Sequence, residues 1–196
     1  MKPAVYTIGH SNHTLERFTG LLTMHRIATV GDVRSSPHSR FNPQFNREGL
    51  KHMLGTSGVG YVFLGRELGA RSDDPACYQA GRVQYDRLAR TALFQKGLDW
   101  VEAAARGDRL ALMCAEKDPL DCHRAILVAP HLEARGFTIE HILDDGALES
   151  HAETMDRLLR LLDLPDQDLF RSHQDILEDA YRMRGERIAY EKEPAQ

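Results

Sequence analysis

A chain of 196 residues, 42% hydrophobic and 28% charged, is long enough to bury one substantial core and too apolar to be disordered. Its formal net charge of −4 with neutral histidines argues against attraction of the whole molecule to nucleic acid or an anionic membrane. The 3 cysteines are an odd number and do not make a disulfide framework. The longest apolar stretches, such as Arg109 to Cys114, fall far short of the roughly 20 residues a membrane span needs. Met1 to Tyr6 runs straight into a strand-like segment and lacks the apolar core of a signal peptide, so a reducing cytoplasmic setting without membrane contact is expected.

Val5 to Ile8 reads as a first strand ending at Gly9-His10. Asn12 or Thr14 can cap a helix in which Leu15, Phe18, Leu21 and Leu22 recur at helical spacing. A second strand, Ala28 to Val33, stops at Arg34, and the two prolines and small polar residues of 35–46 make a loop. Arg47 to Leu54 is a short helix and Val59 to Phe63 a third strand. Gly65 to Gly81, with Gly69 and Pro75 inside it, reads as a long surface excursion of the kind that often binds or covers a ligand. Helices follow near 84–94 and 97–106, and Arg109-Leu-Ala-Leu-Met113 has the continuous apolar run of a strand buried on both faces. A single helix is expected from about Pro119 to Arg135, with Gly136 as its stop. Phe137 to Leu143 is read as the last strand. Helices then occupy 149–162 and 168–190, and 191–196 is expected to fray.

Alternation of strands with helices predicts an α/β fold: a mainly parallel sheet with helices on both faces, a Rossmann-like three-layer arrangement. The predicted division is an α/β domain over 1–148 and a C-terminal helical extension, 149–196, packed on the same domain.

In open α/β sheets ligands sit outside the carboxyl ends of the strands. That rule selects Gly9-His10-Ser11, Asp32-Val-Arg34 and Cys114-Ala-Glu116. Asp118-Pro119-Leu-Asp121 resembles a helix start, which would place Cys122, His123 and Arg124 in or near a first turn where free N–H groups favour anions and thiolates. Adjacent side chains on a helix diverge by about 100°, so these three are not expected to enter one pocket together. Structural alternatives stand beside each reading. Cys114 and Cys122 can be small buried hydrophobes. Asp32 and Arg34 can pair with each other, His141 can be a satisfied core histidine, and Arg40 and Arg47 can be solvated. Zinc ligands would have to be gathered from His10, His38, Cys114, Glu116 and Cys122 without a recognisable spacing, so no metal is assigned. Dinucleotide, Walker and nucleophile-elbow motifs do not occur, and the cofactor stays unknown.

Thr7-Ile-Gly-His-Ser11, Asp32-Val-Arg-Ser-Ser-Pro37 with Ser39-Arg40, Met113-Cys-Ala-Glu116 and Cys122-His-Arg124 together resemble the DUF488 family of bacterial and archaeal proteins. The resemblance covers roughly residues 4–145. It implies the α/β fold and the motif positions, and the family's name carries no reaction.

The leading functional expectation is a small enzyme binding a phosphate-bearing or other anionic substrate, such as a nucleotide or nucleic-acid component. Cys114, Glu116 and His10 would be catalytic, and Ser11, Asp32, Arg34, Arg40, Cys122, His123 and Arg124 would bind substrate. One alternative is a nucleic-acid-binding accessory module using the basic 34–52 segment with Phe41 and Phe45. Another is a metal- or redox-sensing protein using Cys114 and Cys122. A small anionic ligand is the expected partner, with nucleic acid second, and the sequence does not set the oligomeric state.

Overall fold

The sheet runs in the order β3-β2-β6-β1-β7-β8, and every neighbouring pair is parallel except the last. Its strands are β1 (Ala4–Gly9), β2 (Thr29–Asp32), β3 (Gly60–Phe63), β6 (Leu110–Cys114), β7 (Thr138–Ile142) and β8 (Leu148–Ser150). A separate hairpin joins β4 (Tyr78–Gln79) to β5 (Arg82–Val83). The helices are α1 (Leu15–Met24), α2 (Arg47–Thr56), α3 (Tyr85–Ala89), α4 (Ala92–Gly107), α5 (Ala129–Ala134), α6 (His151–Leu161) and α7 (His173–Ile188). The computed structural model describes residues 2–192; residues 193–196 of the segment expected to fray lie outside that range. None of the described helices is long and apolar enough to cross a membrane.

Side-chain alternation along each strand sorts the core into two layers. Tyr6, Ile8, Val30, Ala111 and Met113 meet Phe18, Leu21 and Leu22 of α1 and Leu50 and Leu54 of α2 on one face. Val5, Leu110, Leu112, Cys114 and Ile139 meet Phe94, Leu98 and Val101 of α4 and Leu132 of α5 on the other. This is the predicted α/β architecture with a mostly parallel sheet between helical layers. The helix after β1 and the helix after β6 therefore cover opposite faces, although those two strands are neighbours. Their carboxyl ends form the switch point at which open sheets leave a crevice.

Local sequence sets several helix starts. Thr14 rather than Asn12 caps α1, accepting the Arg17 N–H at 3.2 Å. Ser150 with Glu153 and Ser172 with Asp175 form reciprocal capping boxes at the starts of α6 and α7.

Several expectations need correction. The long excursion holds the β4–β5 hairpin, and Lys192 N–H donates to Gly81 O at 2.8 Å, so the chain after α7 is tied back onto it through residue 192. β8 is an additional, antiparallel edge strand, so the region from Glu149 does not begin as helix. Asp145-Gly146 turns the chain into it, with Gly146 at φ +96. The single helix predicted over 119–135 is three pieces. A 3₁₀ turn, Pro119–Asp121, precedes a residue with extended backbone, Cys122 (φ −134, ψ 139). A π-helical stretch, Arg124–Val128, then leads into α5. Pro130 explains the widening: it has no N–H to give and its ring crowds the carbonyl four residues back, that of Ile126.

The last two helices pack on this broken region. Leu158, Leu159, Ile176 and Ala180 share a cluster with Leu120 and Ile126. Arg157 of α6 grips Asp118 with two hydrogen bonds, 2.7 and 2.9 Å, and Arg184 of α7 donates to Leu120 O at 2.9 Å. The turn that presents Cys122 is thus clamped from outside.

Candidate functional site

Three parallel strands, β2, β6 and β1 in sheet order, end side by side and bring most of the polar residues singled out in the sequence to one edge. His10 N–H donates to Cys114 O and Ser11 N–H to Ala115 O, both at 2.9 Å, so the loop after β6 lies across the end of β1. Gly9 permits that crossing: a Cβ there would stand 1.9 Å from Glu116 O. Ser11, which follows, is held at φ +49, a conformation that costs free energy for a residue with a side chain. Its hydroxyl turns to Asn12 Oδ1 at 3.3 Å.

The first group at this edge is closed. Arg34 donates Nε to Asp32 Oδ1 at 2.9 Å and Nη2 to Asp32 Oδ2 at 2.7 Å. It also donates to Phe45 O at 2.9 Å and to His10 Nε2 at 3.1 Å. Because Arg only donates, His10 Nε2 is the accepting nitrogen and Nδ1 carries the proton that reaches Ser11 O at 2.8 Å. The Tyr61 hydroxyl completes Asp32 at 2.7 Å, and the His10 ring stacks on Phe45 at 4.3 Å. His10, Asp32 and Arg34 are all buried. Burial, and after it the Arg34 charge, push His10 down to about 4, so it is neutral. Arg34 is therefore the partner of Asp32, the structural alternative weighed for it.

The second group is open at its centre. The break at Cys122 brings Cys122 and His123 into one group, where a regular helix would part them, because extended backbone at Cys122 turns its sulfur toward Cys114, while the Arg124 side chain is the one that packs elsewhere. His123 Nδ1 lies 3.8 Å from Cys114 Sγ and 3.7 Å from Cys122 Sγ, and its Nε2 lies 3.2 Å from Val33 O. Cys122 Sγ accepts the Arg124 N–H at 3.4 Å. Arg124, buried, sends Nη1 to Glu116 O at 2.8 Å and Nη2 to Lys117 O at 3.1 Å. It secures the loop that carries Glu116, and its Nε is left without a partner. Cys114 Sγ is 2.9 Å from Glu116 Oε2. The thiols and His123 are buried, whereas Glu116 is exposed as a residue with its carboxylate turned in against the sulfur.

These contacts shape the ionisation. The neighbouring Cys122 thiol and burial push Cys114 well up. Burial works against the Cys122 thiolate, yet contact with Cys114, Arg124 and His123 brings it down. Burial likewise opposes a charged His123, but Cys122 and Val33 O outweigh it and raise it. Burial, then Cys122, push Glu116 up. Cys114, Cys122 and His123 each offer one ligand atom, all within 4.8 Å of one another, and they are the residues here that could hold a metal ion.

Arg40 is the predicted site residue that lies apart, exposed on the loop between β2 and α2. Sequence reasoning missed Tyr61, the Val33 carbonyl and Tyr85. Tyr85 packs against the core cluster that contains both thiols, and its phenol is pushed up by burial and then by Cys122, Cys114 and Glu116. Tyr85 also lines a groove of about 820 Å³ between α3, the π-helical stretch and α7, with Gln95, His131, Tyr181 and Arg182. No single-residue signal marks these; Tyr61 and Val33 acquire their roles only through strand pairing.

The fold and this edge define a doubly covered, mostly parallel α/β protein with a buried thiol–imidazole group at its switch point. The model of the family described as "Domain of unknown function DUF488" matches residues 14–129, more than half of the chain, and the chain belongs to that family. The match covers the Asp32, Cys114 and Cys122 motifs and begins after His10 and Ser11. No curated protein and no solved structure matches it.

Proposed function

We propose that this chain is a small enzyme whose chemistry is carried out by Cys114, Glu116, Cys122 and His123, on an anionic substrate that meets the carboxyl edge of the sheet. The carrying observation is the convergence of two thiols, an imidazole and a carboxylate from two segments at the switch point. Glu116 is the group among them that reaches solvent, and it is assigned the proton-transfer role. His10 becomes a supporting residue, since both its ring nitrogens are engaged. Arg34 is not the anion holder, because Asp32 already neutralises it. Arg40 and Lys51, exposed on the segment that leaves this edge after β2, are the cations assigned to the anion. The nucleic-acid reading is weaker: Phe45 is fully buried under His10, and Phe41 alone, 87% exposed, remains for stacking.

The test is a thermal-shift and turnover screen of the purified chain with nucleotides, phosphate esters and carboxylates. At least one such compound should stabilise the fold, by about 2.7 kcal/mol at a hundredfold excess over Kd, and be converted. Conversion should fall by roughly 100-fold or more in Glu116→Gln, the usual weight of a general acid or base. A wild-type chain that is neither stabilised nor active with any of them would overturn the reading, as would full activity in Glu116→Gln.

A further inference from the structure

We infer that Cys114 Sγ, Cys122 Sγ and His123 Nδ1 form a three-ligand site for a thiophilic divalent transition-metal ion, zinc before others. The site rests on geometry alone; the role given to the ion rests on the enzyme reading above.

Spacing supplies the first argument. In a tetrahedral zinc site Zn–S is about 2.3 Å and Zn–N about 2.05 Å, which sets each S···N separation at about 3.6 Å. The two S···N separations here are 3.7 and 3.8 Å. These are long for hydrogen bonds between neutral groups, yet they need only a small adjustment to surround one ion.

Orientation supplies the second. The Val33 carbonyl lies 3.2 Å from His123 Nε2. A carbonyl only accepts, so the proton of a neutral ring sits on Nε2 and the lone pair of Nδ1 points between the sulfurs. Metal-binding histidines are usually held in one tautomer by a hydrogen bond from the other ring nitrogen, as here. The Arg124 N–H on Cys122 Sγ does the corresponding work for a thiolate.

Chemistry supplies the third. Two thiolates and one imidazole select zinc or another late first-row ion over magnesium or calcium. Three protein ligands leave a fourth position, as in catalytic rather than structural zinc sites. Glu116, exposed as a residue and beside Cys114, would take the proton of a water bound at that fourth position. Metal uptake itself changes no oxidation state: each protonated thiol, and His123 Nδ1 where it carries a proton, releases that proton to solvent as the atom binds.

Reduced, chelator-stripped protein should be titrated with cobalt(II) and then zinc(II) in the absence of oxygen. One equivalent of cobalt should give a near-ultraviolet thiolate-to-metal charge-transfer band and the visible bands of four-coordinate cobalt, and one equivalent of zinc should erase both. Cys122→Ser and His123→Ala should weaken binding by roughly 100-fold or more. Cys77→Ser, which removes the third, separately buried thiol, should bind as wild type. Should the ligand variants fail to fold, zinc-edge X-ray absorption of the wild-type complex decides, with two sulfurs at about 2.3 Å expected. Fully reduced wild type that gives no charge-transfer band overturns the site, as does an undiminished band in Cys122→Ser or a shell without sulfur. Loss of the metal leaves the enzyme reading to the substrate screen, whereas a metal bound by a chain that converts nothing removes the enzyme reading and keeps the site.

Discussion

Two buried histidine groups lie on either side of β1, and they are built differently. On the β7 side, Thr7 Oγ1 meets His141 Nδ1 at 2.7 Å, His141 Nε2 meets His151 Nδ1 at 2.9 Å, and His151 Nε2 meets the Tyr181 hydroxyl at 2.9 Å. Each ring nitrogen has a close partner, and the chain of contacts ties β1, β7, α6 and α7 together. On the β6 side, His123 has one close partner, the Val33 carbonyl, and turns its other nitrogen toward two sulfurs at longer range. Buried polar groups cost free energy unless they are hydrogen-bonded. The His141 chain meets that requirement internally and reads as structure. The Cys114–Cys122–His123 group meets it only in part, and the part left over points at one spot. Satisfaction of hydrogen bonds, more than burial or residue type, separates the two.

The largest effect expected from breaking this contrast is at Asp32. Removing it by Asp32→Ala leaves the Arg34 guanidinium buried with only His10 and the Phe45 carbonyl as partners, and deprives the Tyr61 hydroxyl of its acceptor. Loss of one partner of a buried ion pair costs about 3–5 kcal/mol. In a chain of this size that lowers Tm by roughly 10 °C. Cys122→Ala removes one sulfur from a group that is not internally satisfied, and should cost about 1 kcal/mol. Urea denaturation of the two variants checks the difference. Equal losses would mean that the thiol cluster is as much a structural element as the ion-pair network.

A smaller effect is expected from pH, and it belongs to the satisfied group. Burial holds His151 down at about 4, against an ordinary 6.5. The folded state therefore takes up its proton later than the unfolded state as pH falls. Stability from this residue is complete above the unfolded value, declines between about 6.5 and 4, and is level below. His151 accounts for up to about 3 kcal/mol over that window. His141, pushed down by burial and by His151, acts in the same direction. Arg124 and Arg157 also disfavour a charged His141, whereas Glu133, 3.8 Å from His151 Nε2, would favour a charged His151. Burial raises Glu133, so it is protonated earlier in the folded chain and offsets part of the loss. His151→Gln keeps hydrogen-bonding capacity without titrating, so its stability should change less between pH 7 and 4.5 than that of wild type. Parallel slopes in the two proteins would show that His151 does not carry the effect.

The contrast also marks what the sequence could and could not disclose. Continuous apolar runs and turn residues are local, so Ile8, Asp32 and Met113 could be placed on strands, and the residues just beyond them could be expected at one edge. The capping boxes at Ser150 and Ser172 and the Asp145-Gly146 turn were equally local signals, and the last of these announces β8. Pro130 inside the helix expected over 119–135 was a warning that the helix would not be regular. What stayed hidden depends on contacts distant in sequence. Cys122 is extended because Asp118, Asp121 and Leu120 are held by Arg157 and Arg184 from α6 and α7. The tautomer of His123 depends on a carbonyl 90 residues away. Neither can be read from spacing, which is why a regular helix appeared to part Cys122 from His123, two residues that the fold brings to one group.

The smallest effect on stability is expected at Arg40, and it sharpens the division between a built interior and a solvated flank. Arg40 is exposed on the loop between β2 and α2, next to Phe41, which is 87% exposed. Surface changes away from caps, ion-pair networks and special backbone geometry generally alter stability by less than about 0.5 kcal/mol, so Arg40→Ala should unfold with wild-type urea dependence. Its effect belongs instead to binding. An exposed cation attracts an anion through screened charge, over a Debye length of roughly 10 Å at 0.1 M salt. Any affinity that Arg40 contributes should shrink as salt rises, so wild type and Arg40→Ala should converge at high ionic strength. Isothermal titration with an anionic ligand from the substrate screen, at two salt concentrations, measures this. A salt-independent loss would instead mean that Arg40 makes a desolvated contact once ligand is bound, and that the 35–46 loop closes over the edge rather than merely flanking it.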